Sequence, residues 1–228
     1  MAQMTVEVSL DPVLARMRAL DGLLHPRDGV AVFNRVYLEV TRELRERMAR
    51  GECPEARTAA TLAVRFAERY LAAVDAAYDG RRVSACWRPL FQYRRHPGVR
   101  PLQHALAGIN AHIGYDLALA VVAGCRSLDC APAELEADFD RVGDTLVALE
   151  ERIREDLMPG PDLLEVADPL THLLGAWSLD RARDAAWSAA RLLWTLRDRP
   201  ELAAEFADSL DKGVGLVGRC LLTPAPVR

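Results

Sequence analysis

Apolar positions along the chain recur at steps of three and four and never alternate over the length of a strand, so the pattern predicts helices throughout and no sheet. Asp11 and Pro12 predict the first start, Asp11 as N-cap and Pro12 at the first helical position, with Gly22 as the stop. Asp28 predicts the cap of a second helix, whose Val32, Val36, Val40, Leu44 and Met48 share a face until Gly51. A third runs from about Glu55 to Tyr78 through Leu62, Phe66, Tyr70 and Val74, and a short fourth covers Trp87 to Arg95. The fifth, from Pro101 or Leu102 to near Gly124, is apolar nearly all the way round. A sixth opens at Pro132, and its Leu135, Phe139, Val142, Leu146, Leu149, Ile153 and Leu157 make the cleanest amphipathic stripe in the chain. Two more run from Ser178 to Arg197 and from Pro200 to about Leu210, and VGLVGRCLL follows as a separate apolar piece.

The only stretch resembling a linker, MPGPDLLEVADP, is short and itself apolar, so one domain is the simpler organisation. The expected fold is therefore all-α: a single-domain bundle of about seven to nine helices around a central apolar helix at about residues 102–123. Its core is expected to span about residues 12–210, with a C-terminal extension at 211–228.

Composition narrows the function without naming it. Half of the 228 residues are hydrophobic but only 6% are aromatic, so the core must be built mainly from Leu, Ala and Val. A net charge of -4 with no basic stripe argues against nucleic acid as a partner. The longest uninterrupted apolar run, Leu117 to Ala123, is too short to span a bilayer, and MAQMTVEVSLDP lacks the basic, then apolar, order of a leader. The five cysteines form no C-x-x-C pair or finger spacing, which suits buried thiols in a reducing compartment. A cytoplasmic protein without membrane partners is expected, with homo- or hetero-oligomerisation left open.

Within HALAGINAHIGYDLALAVVAG, residues 104–124, four polar side chains interrupt an otherwise apolar helix. On a helical wheel with Leu102 at zero, Leu106, Ile109, Ile113, Leu117 and Ala120 cluster within about 60° as the core stripe, with Asp116 at about -40° and His112 at about -80° on its edge. His112 and Asp116 lie one turn apart and can meet a common partner; His104 drifts outward along the ridge and Asn110 lies on the opposite flank. Such a pair admits three readings. Asp116 can orient His112 as a general acid/base. Both can bind a divalent metal, with a further carboxylate such as Asp140. Each can also be a polar group satisfied inside a helical core. An apolar residue at position 116 would have avoided the several kcal/mol that an unpaired buried carboxylate costs, which favours the functional readings.

Gly108 and Gly143 keep two consecutive helices slim, leaving room for either a close crossing or a ligand. Asp140 and Asp144 stand one turn apart, where a solvated face is the plainer explanation. Arg183, Trp187, Arg191 and Trp194 form a ridge that reads either as arginine stems covering indoles or as the wall of an anionic, flat substrate. Tyr37, Tyr70, Tyr78 and Trp87 follow core spacing first and pocket lining second. No nucleotide cofactor is expected, because neither a phosphate-cradling glycine loop nor a dinucleotide fingerprint is present. H-E-x-x-H, paired E-x-x-H and G-x-S-x-G motifs are missing too.

Phe33-Asn34 with Tyr37 and Thr41, Arg69-Tyr70-Leu71, Trp87, and above all HALAGINAHIGYDL followed by DFDRVGD, resemble a family of bacterial all-helical proteins classed as a domain of unknown function. The resemblance covers roughly residues 20–195, and its specific part is N-A-H-I-x-x-D-L, here Asn110 to Leu117. Where the family pattern D-F-x-x-x-N has asparagine, this chain has Gly143. The resemblance implies a helical fold and singles out His112 and Asp116, without supplying a reaction.

The leading expectation is an enzyme acting on a small, partly apolar metabolite by cyclisation, elimination or hydrolysis. His112 would serve as acid/base, Asp116 would orient it, and His104, Asn110, Trp187, Arg191, Tyr37 and Trp87 are the candidate substrate contacts. The first alternative is a hydrolase or lyase using one divalent metal on His112, Asp116 and Asp140; the second is a non-catalytic binding or assembly subunit.

Overall fold

The computed structural model describes residues 8–140 and 178–224 apart from 54 and 138, and among these the regular structure is helical without strands. We label α1 Asp11–Leu23, α2 Gly29–Ala49, α3 Ala56–Tyr78, α4 Arg88–Tyr93, α5 Pro101–Ala111, α6 Leu117–Leu128, α7 Leu179–Thr195 and α8 Pro200–Leu221. A π-helical turn, His112–Asp116, joins α5 to α6, so Pro101–Leu128 is one continuous rod of 28 residues. This all-α bundle around a central apolar helix is the architecture that the periodicity implies. The stripe from Val142 to Leu157, Gly143, Asp144 and the MPGPDLLEVADP segment lie outside the described residues.

Most helix ends follow their local signals. Asp28 caps α2 by accepting a hydrogen bond from the Val30 N–H at 3.0 Å, and Ser178 caps α7 by accepting from the Arg181 N–H at 3.4 Å. Gly51 and Gly80 end α2 and α3 with φ of 75° and 66°, a backbone region that costs glycine nothing. The first helix begins one residue earlier than its sequence suggests: Leu10 is the N-cap and Asp11 is already helical, its N–H bonded to the Ser9 hydroxyl at 3.1 Å.

The larger correction is at the C-terminal end. No break occurs near Leu210, and VGLVGRCLL is the second half of α8. Gly213, Gly215 and Gly218 are poor helix formers, yet the helix runs through all three, and Gly215 is a packing site. A Cβ on Gly215 would stand 2.5 Å from the Ala85 carbonyl oxygen, whereas one on Gly218 would make only an ordinary contact, 3.6 Å from Pro89. At Gly215, close approach to the segment before α4 thus outweighs the roughly 1 kcal/mol helix penalty of glycine. Asp211 ties the same seam by accepting from the N–H groups of Ala85 and Cys86 at 2.7 and 2.9 Å. Leu221 and Leu222 are fully buried, and Gln103 donates to the carbonyls of Leu221 and Thr223, both at 2.8 Å.

The rod packs against α2, α3, α7 and α8. By length and composition it is apolar enough to cross a membrane, since its few polar residues interrupt the apolar run without making the whole segment polar. In the bundle, 78% of its most apolar window is buried against neighbouring helices, so its apolar surface is covered by protein.

Candidate functional site

The π turn sets the middle of the rod apart. Its closing bond runs from the Leu117 N–H to the His112 carbonyl, five residues back. Gly114 sits in this turn with Val214 of α8 against it, where a Cβ would be 3.1 Å away. Asn110, one residue before Ala111, donates to the Val214 carbonyl at 3.0 Å. Asn110 therefore fastens α8 to the rod through its amide.

On the opposite side of the turn, Asp116 is 2% exposed and accepts three hydrogen bonds. Its Oδ1 accepts from Arg69 Nε at 3.1 Å; its Oδ2 accepts from Trp87 Nε1 at 2.9 Å and from His112 Nδ1 at 3.0 Å. The donors come from α3, from the residue before α4, and from the π turn itself, so the carboxylate gathers three separate elements. An indole N–H can only donate and a guanidinium has no acceptor, so the charged carboxylate is the form that satisfies them. The third bond then fixes the neutral His112 tautomer with its proton on Nδ1, leaving Nε2 as a bare lone pair.

That Nε2 is buried and has no partner among the described residues. The ring lies in an aromatic cage. Phe66 stacks on it with centroids 3.5 Å apart and planes 4° from parallel, Tyr37 meets it edge-on at 4.5 Å, and Phe33 and Trp87 stand at 5.9 Å. Burial pushes the His112 pKa below its usual value, overcoming the opposing hydrogen bond and charge of Asp116. The imidazole is thus a neutral base at pH 7. Burial, reinforced by the charge of Asp116, holds the Tyr37 hydroxyl well above its usual range and so protonated.

Tyr37 and Phe66 have second faces. Together with Thr41, Leu117, Phe139 and Arg183 they line a narrow apolar pocket of about 50 Å³ between α2, α3 and α7. Room on this scale holds a few atoms. Only the Tyr37 and Phe66 rings are shared between pocket and cage, so they stand between the pocket and the His112 ring.

The other candidate residues divide sharply. Trp87 and Tyr37 do join His112, Trp87 as a hydrogen-bond donor to Asp116. Trp187 donates its Nε1–H to Glu136 at 3.1 Å and packs on Phe139 with centroids 4.6 Å apart, at the far wall of the pocket. Arg191 is exposed, whereas Arg183 from the same ridge lines the pocket, lies 5.1 Å above the Phe139 ring and donates to the Phe139 carbonyl at 3.1 Å. His104 is buried near the start of the rod against Gly29, about two turns before His112, and lines a different cavity. Gly108 is a packing glycine: a Cβ there would stand 2.3 Å from the Phe33 ring.

The expected metal set is not assembled. Asp140 is exposed, both Asp116 oxygens receive N–H donors, and the described residues contain no group of three His, Cys, Asp or Glu arranged to hold an ion. The described residues bring together an oriented neutral imidazole, a carboxylate held by three donors, and an apolar pocket one ring away.

A family model described as a family of unknown function, DUF5995, matches residues 10–224. The chain belongs to that family. No curated protein and no solved structure matches it. The DUF5995 match is wider than the resemblance read from residues 20–195, and takes in α1 and all of α8. It therefore includes Val214 and Gly218, which pack against the rod and α4, as well as the residues around His112.

Proposed function

We propose that this DUF5995 protein is an enzyme that moves a proton on a small, largely apolar metabolite, with His112 as the base and Asp116 as its orienting carboxylate. The observation that carries this reading is the unpartnered Nε2 of a fully enclosed imidazole whose other nitrogen is tied to Asp116. A core histidine kept only for structure would be expected to satisfy both nitrogens, because a buried polar atom left unpaired costs roughly 1–3 kcal/mol. Here that cost leaves a lone pair available.

In the proposed step, rotation of Phe66 or Tyr37 admits substrate from the pocket to Nε2. The lone pair takes a proton from a carbon or oxygen acid, or from a water attacking the substrate, and the imidazolium formed is stabilised by Asp116. The same proton then passes to a departing or newly formed basic atom, which returns His112 to its neutral state. Cyclisation, elimination and hydrolysis all fit this cycle. Thr41 and Arg183 are the polar groups lining the pocket, and the Trp87 and Arg69 bonds keep Asp116 fixed while charge appears on the ring. The reading goes with a protein working in a reducing compartment, where the buried Cys86 and Cys125 stay as thiols.

The test is turnover of a metabolite extract followed by mass spectrometry, comparing the parent with His112→Asn and with Asp116→Asn, each checked for folding by circular dichroism. At least one compound consumed by the parent and spared by His112→Asn is the expected result; no such compound, or equal consumption, overturns the proposal. Metal content is measured on the same samples. Stoichiometric metal present in the parent and lost from both variants would replace the metal-free base with a metal-dependent hydrolase or lyase. The non-catalytic reading draws on Leu192, Leu202, Leu216 and Val217, apolar side chains exposed on α7 and α8. A stable oligomer without turnover would favour it.

A further inference from the structure

A second cavity, of about 690 Å³, opens where the α1–α2 and α4–α5 loops meet the start of α5, far from the pocket beside His112 in both lining and chemistry. Its size is that of a small-molecule site. Its walls include His25, Arg27 and Asp28 from the first loop, Arg95 and His96 from the second, and His104 from α5. The two loops are fastened together beneath it: Arg94 Nε donates to both oxygens of the buried Asp28, at 2.9 and 2.7 Å, and the Gly29 N–H donates to the Arg94 carbonyl at 2.7 Å. Asp28 therefore has its charge matched by Arg94, and it spends a further bond capping α2. Arg95 reaches Asp28 only loosely, at 3.4 Å, with its side chain 79% exposed. Arg27 forms no ion pair among the described residues. The cavity is left with a positive excess.

The three histidines present the same atom. His25 Nδ1 accepts the Arg27 N–H and His96 Nδ1 accepts the Gly98 N–H, each at 3.1 Å, so a neutral ring at either position carries its proton on Nε2. His104 reaches that state by another route. It is 3% exposed, and its Nδ1 is buried without a partner against Gly29, where even a Cβ would come within 2.4 Å. A proton on that nitrogen would be a stranded donor, so the neutral tautomer again carries Nε2–H. This second nitrogen is not enclosed as Nδ1 is, it has no protein partner among the described residues, and the ring it belongs to lines the cavity. Burial keeps the ring neutral at pH 7, lowering its pKa to about 4.

From this arrangement of two arginines and three Nε2–H donors around one cavity, we infer that it binds a small organic anion whose charged end is a phosphate or a carboxylate. His104, buried and fixed, gives a directional hydrogen bond; Arg27 and Arg95 supply the charge; His25 and His96 close the rim. Three donors to anionic oxygen and two guanidinium forks suit a group with several oxygens better than a single-atom anion. The inference stands apart from the role of His112, and variants at the cavity leave the His112 pocket untouched.

Inorganic phosphate and citrate are the probes, titrated separately into the full chain at low ionic strength by calorimetry and by NMR of the histidine side chains. Saturable binding of one or both is expected, with the His104 ring resonances shifting in step. Arg27 and Arg95 are exposed, so the Arg27→Ala/Arg95→Ala variant should keep the parent's melting temperature while its affinity falls about tenfold or more. Whichever probe saturates more tightly identifies the head group. Absence of saturation by either, undiminished binding in the double variant, or an unmoved His104 signal at saturation would each overturn the assignment.

Discussion

Replacing Asp116 with alanine strands two donors at once. Trp87 is 0% exposed and His112 is 2% exposed, so neither Nε1–H nor Nδ1–H can turn to water. Moving the imidazole proton to Nε2 brings no relief, because that nitrogen also has no partner. Arg69 is different: its side chain is 34% exposed and can be rehydrated by rotation. At ~1–3 kcal/mol for each buried donor left unpaired, the loss is ~2–6 kcal/mol. Release of a buried charge offsets part of this, which places Asp116→Ala at about 3 kcal/mol of destabilisation. Asparagine keeps one oxygen. Set where Oδ2 now lies, it still accepts from Trp87 and His112, and its NH2 group faces the one donor that can move away. Asp116→Asn should therefore cost about 1 kcal/mol. The assay is urea unfolding at pH 7 followed by circular dichroism. For a slope of ~2 kcal/mol per molar, the alanine variant's midpoint moves down by ~1.5 M and the asparagine variant's by ~0.5 M. Equal losses in the two variants, or an alanine variant within about 0.5 kcal/mol of the parent, would refute the reasoning.

Gly108→Ala should lose about 2 kcal/mol or more, because its Cβ would stand 2.3 Å from the Phe33 ring, and Phe33→Leu in the same chain should recover part of the loss; a melting curve for each variant reads this out. Gly215→Ala should be at least as damaging, although alanine is the better helix former, since the obstacle is the Ala85 carbonyl and backbone cannot rotate aside. Acid should weaken the fold through His104 and His112, both held below their usual pKa by burial. The unfolded chain takes up these protons near pH 6.5 while the native His104 resists to about 4, so this contribution is complete above pH 6.5 and is lost as the pH falls towards 4. The His104 share is about 2 kcal/mol once the open edge of its ring is allowed for, and the difference in acid sensitivity between parent and His104→Gln, followed as unfolding midpoint against pH, measures it.

How much of this was legible in the sequence follows from the distance over which each interaction acts. The His112–Asp116 contact is local, four residues apart on one helix, and helical spacing is enough to anticipate it. Its other partners are not local. Arg69 lies 47 positions away and Trp87 lies 29 away, and no periodicity says that an indole N–H and a guanidinium converge on one carboxylate. Trp87 was legible as a neighbour of the site, but not as a donor to Asp116. Asp211 gave no signal either, because a carboxylate that caps the strand-free segment at Ala85 and Cys86 looks the same in sequence as one in water. The glycines show the converse. Gly215 suggests a break by propensity, and Gly108 suggests either a pocket or a crossing; only the neighbouring Ala85 and Phe33 decide that these two positions are slim to admit protein.

His104 and His112 sharpen the point, since one rod carries both and each leaves a buried nitrogen unpaired. Residue type and helix position cannot tell them apart; the groups opposite each ring can. His112 has its Nδ1 bound to a carboxylate, which turns Nε2 into an acceptor inside an aromatic cage. His104 has its Nδ1 pressed against a glycine, which turns Nε2 into a donor at the edge of a positively charged cavity. The neutral imidazole is the same molecule in both places, and the position of one proton leaves an acceptor nitrogen in the first and a donor nitrogen in the second. What each ring can offer is thus set by second contacts from α2, α3 and the loops, and those contacts are tertiary.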